Sequence, residues 1–202
     1  MSNKFKFDRN KLMSVIGDHI DSVDVAVEVG TYKGEFAVSM IDRLDPVNFY
    51  AVDPLRLYPG MNSNPGFEFV RQSLLDQLAD KVNHIMSVRG HTLIRETSDK
   101  ASQQFEDNSV DVVYLDADHS FKGCSNDIDL WFPKVKEGGI LAGHDYCNGN
   151  VAKGHVYGVI QAVALLVDEH NLELFLTDER DYPSWMIVKG NHNIESLKAQ
   201  AQ

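Results

Sequence analysis

The chain has 202 residues, 43% hydrophobic and 24% charged, which suits one globular domain and excludes wholesale disorder. Thirty acidic against nineteen basic residues give a net charge of −11, which disfavours a nucleic-acid partner. No apolar run approaches the ~18 residues of a membrane span, and the N-terminus has no apolar signal core. We therefore expect a single domain over residues 1–202, soluble and cytoplasmic, with no membrane partner.

Apolar segments of two different periods alternate along the chain. In chain order, strands are predicted at residues 25–29, 49–52, 82–88, 110–115, 140–142, 172–176 and 185–188. Helices are predicted at 34–44, 67–79, 91–105, 127–135 and 156–169, the fourth ending at Gly138-Gly139. This alternation predicts a doubly wound, parallel α/β sheet whose last two strands form a hairpin at one edge. The loop 55–66 is a candidate lid or substrate loop, and the polar tail after Gly190 is expected to fray.

Two glycines and two acids follow the first two predicted strands. The first strand carries Glu28 and leads into Gly30 and Gly34, and Asp53 follows the second strand. The G-x-x-x-G spacing differs from the G-x-G-x-x-G of a dinucleotide site, and Glu28 would repel a pyrophosphate but could pair with a cation. An acid at the place of Asp53 commonly accepts hydrogen bonds from ribose hydroxyls. The pattern predicts a ligand with a ribose and a cation, a description that S-adenosylmethionine fits.

An ordered set of motifs resembles the class I S-adenosylmethionine-dependent methyltransferases. Two stretches of this chain resemble the first two motifs of that family: Glu28-x-Gly30-x-x-x-Gly34 and Val52-Asp53-Pro54. Three later stretches resemble the small-molecule group that includes macrolide and aminocoumarin sugar O-methyltransferases: Asp116-Ala117-Asp118-His119-Ser120, Pro133-x-Val135-x-x-Gly138-Gly139 and Gly143-His144-Asp145-Tyr146. The resemblance covers about residues 23–190. It implies a Rossmann-like, seven-stranded, mostly parallel sheet with an antiparallel last strand.

The resemblance also implies S-adenosyl-L-methionine as cofactor. Gly90 joins the expected cofactor site because it follows the predicted third strand, where this fold contacts adenine, although a plain turn glycine is equally expected there. The full expected set is Glu28, Gly30, Thr31, Tyr32, Gly34, Asp53, Gly90 and Asp116.

Acids and histidines follow the fourth and fifth predicted strands, which end at the same edge of a parallel sheet. We expect this edge to gather Asp116, Asp118, His119, His144 and Asp145. Acids this close would repel one another, and a divalent cation or a cationic ligand would relieve the repulsion. The sugar methyltransferases that this chain resembles bind Mg²⁺ with acids that follow the fourth and fifth strands. Asp116 and Asp145 are the residues of this chain that match those positions.

His144 stands where that pattern has a second acid. An imidazole in a set of Asp116, His144 and Asp145 shifts the expected metal from Mg²⁺ toward Mn²⁺ or another transition metal. The alternative is that the histidines are neutral, hydrogen-bonded residues of the cleft and that no metal binds.

Methyl transfer to an alcohol needs an aligned nucleophile whose proton is removed by a base or a metal. His119 and Asp116 are both candidates for the catalytic base. The predicted function is S-adenosylmethionine-dependent methylation of a small molecule at oxygen, with metal assistance and a homo-oligomeric state left open. The alternatives are a nicotinamide-dependent oxidoreductase and a non-catalytic nucleoside-binding module.

Overall fold

The computed structural model describes residues 2–58, 61, 68–152 and 155–201, so most of the predicted loop 55–66 lies outside the described residues. The strands of the described part are β1 Asn3–Lys4, β2 Val25–Val29, β3 Asn48–Val52, β4 Thr92–Ile94, β5 Val110–Leu115, β6 Val135–Gly143, β7 Asn148–Ala152, β8 His155–Gly158, β9 Phe175–Leu176 and β10 Trp185–Val188. Its α-helices are α1 Arg9–His19, α2 Glu35–Leu44, α3 Gln72–Ser87, α4 Ser98–Ser102, α5 Phe121–Trp131, α6 Val159–His170 and α7 Glu195–Gln200.

The central sheet confirms the predicted α/β fold class. Its strand order is β1-β9-β10-β6-β5-β2-β3-β4, and β10 alone in this sheet runs antiparallel to its neighbours β6 and β9. The hairpin expected at the end of the chain is the β9–β10 pair. The described sheet has eight strands rather than seven because the two-residue β1 adds to β9 in parallel. Next to it, buried Phe5 stacks on Phe175, with ring centroids 5.6 Å apart.

Helices cover both faces of the sheet, which separates the two main core clusters of the described residues; a small third cluster lies around Leu55 and Leu75. Side chains of α1, α2, α3 and α7 pack on one face, and those of α5 and α6 pack on the other. All six residues of β5 are buried, which explains why this central strand is apolar apart from Asp111, whose carboxylate is paired with two backbone N–H groups and Lys136. The two tryptophans, Trp131 and Trp185, are both buried in the core. No helix in the described part of the chain is long and apolar enough to cross a membrane.

The strand predicted at 82–88 is wrong. These residues complete α3, whose buried side chains Leu75, Ala79, Val82 and Met86 recur at helical spacing. The third strand of the predicted order is β4, inside the segment that we expected to be a helix at 91–105. Only the short α4 of that predicted helix forms.

The position predicted for Gly90 is therefore wrong as well. Gly90 does not follow a strand; it lies between α3 and the amino end of β4, with a φ of +79°. Its neighbour His91 accepts the backbone N–H of Phe49 near the start of β3, again at the amino edge of the sheet. The structure thus places Gly90 at the opposite edge from the loops that follow the strands.

One predicted helix boundary and the C-terminal tail also need correction. Gly138-Gly139 does not end a helix, because α5 stops at Trp131 and both glycines lie within β6. Gly138 has a φ of +80°, close to the place where the register of β6 against β5 shifts. The tail after Gly190 forms α7, whose Leu197 is fully buried against the core.

Candidate active site

The loop between β2 and α2 is packed tightly against the chain that follows β5. Gly30 has a φ of +94°, and a Cβ there would lie 2.2 Å from the backbone oxygen of Asp116. Its N–H donates to the carbonyl oxygen of Val52 at 2.8 Å. Tyr32 and Gly34 also have positive φ values, of +44° and +74°. Glycine at position 30 is therefore required by the close approach of two backbone segments.

The Asp53 carboxylate joins the loops that follow β2 and β3. One of its oxygens accepts the backbone N–H of Tyr32 at 2.9 Å, and the other accepts that of Leu55 at 2.8 Å. Burial raises the pKa of Asp53, and these two backbone hydrogen bonds oppose the rise. Each carboxylate oxygen has two lone pairs, so each retains the capacity to accept a further hydrogen bond.

Glu28 is a buried acid with an unpaired oxygen. Its side chain comes from β2 and is 1% exposed, and its Oε2 has no hydrogen-bond partner among the described residues. Burial raises the pKa of Glu28 to about 8; the nearby Thr31 hydroxyl lowers it and the Asp116 carboxylate raises it. Buried polar atoms almost always have partners, so an unpaired one points to a ligand that supplies the missing donor.

Arg9, a residue that the sequence analysis missed, enters the same region from the first turn of α1. Its Nη1 lies 3.5 Å from Oδ2 of Asp116, and its guanidinium lies 4.6 Å from the centre of the Phe36 ring. The backbone N–H of Arg9 donates to Glu179 at 3.1 Å. No local sequence pattern indicates that Arg9 lies at this site, because its position depends on how α1 packs against the sheet.

Two histidines and two acids meet at the carboxyl ends of β5 and β6, as predicted. His119 Nε2 lies 3.0 Å from Oδ2 of Asp145, and His144 Nδ1 lies 3.0 Å from Oδ1 of the same carboxylate. Asp116 Oδ1 is 3.8 Å from His144 Nδ1 and 4.0 Å from His119 Nε2. Asp145 is therefore held between two imidazoles, while Asp116 stands slightly apart.

Asp118 does not join this cluster, contrary to prediction. Its carboxylate accepts the backbone N–H of Ser120 at 2.9 Å and lies against Gly123 in the first turn of α5. Helix α5 begins at Phe121, earlier than predicted, and this early start draws Asp118 toward its N-terminal turn.

The charges of the cluster are strongly coupled. Burial would raise the pKa of Asp145, but the two adjacent histidines outweigh it and hold that pKa well below its ordinary value. Burial lowers the pKa of His119, but the Asp145 and Asp116 carboxylates more than compensate and raise it. Burial raises the pKa of Asp116, which His144 and His119 only partly offset. The arrangement favours an ionised Asp145 held between the two imidazole rings.

Asp116, His144 and Asp145 are close enough together to share a metal ion. One ligand atom from each lies within 4.8 Å of the others, a set of two oxygens and one nitrogen. This is the same set that the sequence predicts. His119 lies beside it and stacks on Tyr157, with ring centroids 5.4 Å apart and an interplanar angle of 2°.

Comparison with known proteins agrees with this geometry. A family model described as a methyltransferase domain matches residues 27–146, more than half of the chain. A curated relative, an uncharacterized protein of Acanthamoeba polyphaga mimivirus, is 27% identical over 123 residues, which cover 59% of this chain and 50% of the relative. The chain thus spans about half the length of the curated relative it matches.

Solved structures share the fold at low sequence identity. An O-methyltransferase family protein from Burkholderia thailandensis has a TM-score of 0.60 at 13% identity, covering 89% of this chain and 55% of that one. The N-methyltransferase NodS from Bradyrhizobium japonicum has a TM-score of 0.61 at 13% identity, covering 90% and 94%. An O-methyltransferase from Bacillus cereus, solved in complex with SAH, has a TM-score of 0.57 at 12% identity, covering 89% and 78%.

Proposed function

This chain belongs to the methyltransferase domain family, and from that premise we propose that it transfers a methyl group from S-adenosylmethionine to an oxygen of a small-molecule acceptor. The observation that carries the proposal is the buried, unpaired Glu28 carboxyl beside the Gly30 loop. A buried, unpaired carboxyl in this position suits a cationic, hydrogen-bond-donating ligand, which is the chemistry of the aminoacyl end of this cofactor.

The residues around Glu28 fit the remaining parts of the cofactor. Asp53 retains acceptor capacity on both carboxylate oxygens, which suits a ribose diol. Gly30, Thr31, Tyr32 and Gly34 form the loop between these two acids, and the Thr31 hydroxyl lies beside the Glu28 carboxyl. Asp116 closes the loop on its other side. Gly90, at the far edge of the sheet, is not part of the proposed site.

When bound, the cofactor supplies an electrophilic methyl group on a positively charged sulfur. This chain must then align an acceptor hydroxyl with that methyl group and receive the hydroxyl proton. His119 is the proposed base: its Nε2 faces Asp145, so Nδ1 is the nitrogen left to accept the proton. Asp145 orients the ring and would stabilise the imidazolium that forms, and Tyr157 fixes its plane by stacking.

Asp116 is the less favoured base. Its raised pKa makes it a stronger proton acceptor than an exposed Asp, but Arg9 and the two histidines surround it with donors. We assign to Asp116 the role of holding positive charge in the cleft, either of the cofactor or of a metal.

Asp116, His144 and Asp145 would hold a divalent metal, whose chemistry is to lower the pKa of an acceptor hydroxyl. The imidazole nitrogen in this set favours Mn²⁺ or a similar transition metal over Mg²⁺, which prefers oxygen ligands alone. The expected result is a rise in melting temperature with Mn²⁺ that exceeds the rise with Mg²⁺. The rise should disappear in the double variant Asp116→Asn, Asp145→Asn and persist in Asp80→Asn, a variant of an exposed acid in α3.

The function is tested by calorimetric titration with S-adenosylhomocysteine, with and without Mn²⁺ or Mg²⁺, and with NAD as the comparison ligand. We expect saturable binding of S-adenosylhomocysteine and none of NAD. Binding of NAD in its place would support an oxidoreductase. Binding without methylation of any alcohol-bearing acceptor would support the nucleoside-binding module.

A further inference from the structure

Arg9 is a cation inserted into an acidic cleft. Its guanidinium lies near two buried or half-buried acids: it contacts Asp116 directly and acts electrostatically on Glu28. A third acid, Asp53, binds the backbone of the Gly30 loop at Tyr32. The side chain is held in place, because Phe36 lies under the guanidinium plane and Glu179 accepts the backbone N–H.

The guanidinium has unused donors. Among the described residues, only Nη1 makes a hydrogen bond, and at 3.5 Å from Asp116 it is a long one. The Arg9 side chain is 33% exposed, and no described residue accepts a hydrogen bond from Nε or Nη2. An arginine fork with two donors free is suited to a planar carboxylate, which it binds through parallel hydrogen bonds.

The separation of Asp53 and Asp116 matches the length of an extended ligand. Asp53 follows β3 and Asp116 follows β5, and β2 lies between these two strands. Neighbouring strands are about 4.8 Å apart, so the two acids stand roughly 10 Å apart across the sheet. A ribose at Asp53 would direct a thioether chain across the Gly30 loop toward Asp116 and Arg9. The aminoacyl end of such a ligand carries one positive and one negative group.

We propose that Arg9 binds the α-carboxylate of the aminoacyl end of S-adenosylmethionine, while Glu28 accepts a hydrogen bond from its amino group. This inference rests on the proposed function and names the residue that recognises the negative end of the cofactor. The Arg9–Asp116 contact holds the guanidinium at the cleft before the ligand arrives, and the spare face of the fork then receives the carboxylate.

The test compares two ligands that differ by one carboxylate. S-adenosylhomocysteine carries it; 5′-deoxy-5′-(3-aminopropylthio)adenosine keeps the ribose, thioether and amine and lacks it. Calorimetry of the unmodified protein should show that S-adenosylhomocysteine binds about tenfold to a hundredfold more tightly, as expected for charge-assisted hydrogen bonds. The Arg9→Gln variant should lose most of that preference and bind the decarboxylated ligand almost as well as the unmodified protein does.

Lys11→Gln is the matched control, because it removes one positive charge from an exposed position of the same helix. It should keep the full preference for the carboxylate. Arg9→Lys keeps the charge but not the fork and should retain an intermediate preference, which also covers the case in which Arg9→Gln fails to fold.

Two results would overturn the inference: an unmodified protein that binds both ligands equally, or an Arg9→Gln variant that weakens both to the same extent. Failure of the unmodified protein to bind either ligand would instead refute the proposed function, and this inference with it.

Discussion

Replacing Glu28 by Gln should stabilise the protein and at the same time weaken its binding of S-adenosylhomocysteine. Glu28 is buried, and its pKa is raised from an ordinary value of 4.5 to about 8, chiefly by burial. Gln has nearly the same shape and cannot ionise. The substitution therefore removes the free energy that the unfolded chain gains by releasing a proton that the folded protein retains.

The sign and size follow from the two pKa values. A pKa that is higher in the folded state contributes stability that is present below about pH 4.5 and is lost as the pH rises toward about 8. At about 1.4 kcal/mol for each pKa unit, the loss reaches ~3 kcal/mol at pH 7 and ~5 kcal/mol above pH 8. The free energy of unfolding of the variant should therefore equal that of the unmodified protein near pH 4.5. At pH 7 it should be higher by ~3 kcal/mol.

Urea denaturation of both proteins from pH 4.5 to pH 8 measures this difference directly. Groups that titrate in both proteins cancel in the comparison. Glu106→Gln, at an exposed position, should show no such pH-dependent gain. A difference between Glu28→Gln and the unmodified protein that stays constant with pH would refute the reasoning, because it would mean that Glu28 titrates alike in the folded and unfolded chains.

Three further substitutions test other parts of the site and its surroundings. Gly30→Ala should destabilise the protein by several kcal/mol in urea denaturation, because the new Cβ would lie 2.2 Å from the Asp116 backbone oxygen at a positive φ; a loss under 1 kcal/mol would contradict that close approach. Asp53→Ala should weaken S-adenosylhomocysteine binding at least tenfold, measured by calorimetry, and unchanged affinity would exclude it as the ribose ligand. Asp127→Asn should stabilise the protein at pH 7.5 by up to ~3 kcal/mol and by almost nothing at pH 4, because burial raises the pKa of Asp127 to about 6. An equal gain in stability at both pH values would exclude burial of the carboxyl as the cause.

The central sheet was predictable because its strands are buried on both faces. Such strands are rich in apolar residues without polar alternation; β10 is wholly apolar, and β2 and β5 are apolar apart from the single buried acids Glu28 and Asp111. The same signal misleads at 82–88, where the apolar residues belong to the buried stripe of a long helix. A short segment does not contain enough turns to distinguish the two periods, so α3 was divided and β4, with three residues, was missed.

The candidate site was predictable as far as topology determines it. Parallel strands bring the residues after β5 and β6 to one edge, so Asp116, His119, His144 and Asp145 were expected to meet. The pairing of both histidines with Asp145 was not predictable, because it depends on side-chain rotamers and on the positive φ of Asp145. Arg9 was missed because its contribution arises from the packing of α1 across the sheet rather than from any neighbouring residue.

The close approach of Gly30 to Asp116 also limits how this molecule can vary. The loop after β2, proposed to hold the cofactor, and the loop after β5, which carries groups proposed for the chemistry, touch through their backbones with no side chain between them. A change in the length or path of one loop must displace the other. Attempts to engineer a new acceptor preference should therefore begin at the β7–β8 hairpin, a separate two-stranded sheet, and keep its Tyr157, which stacks on the proposed base His119.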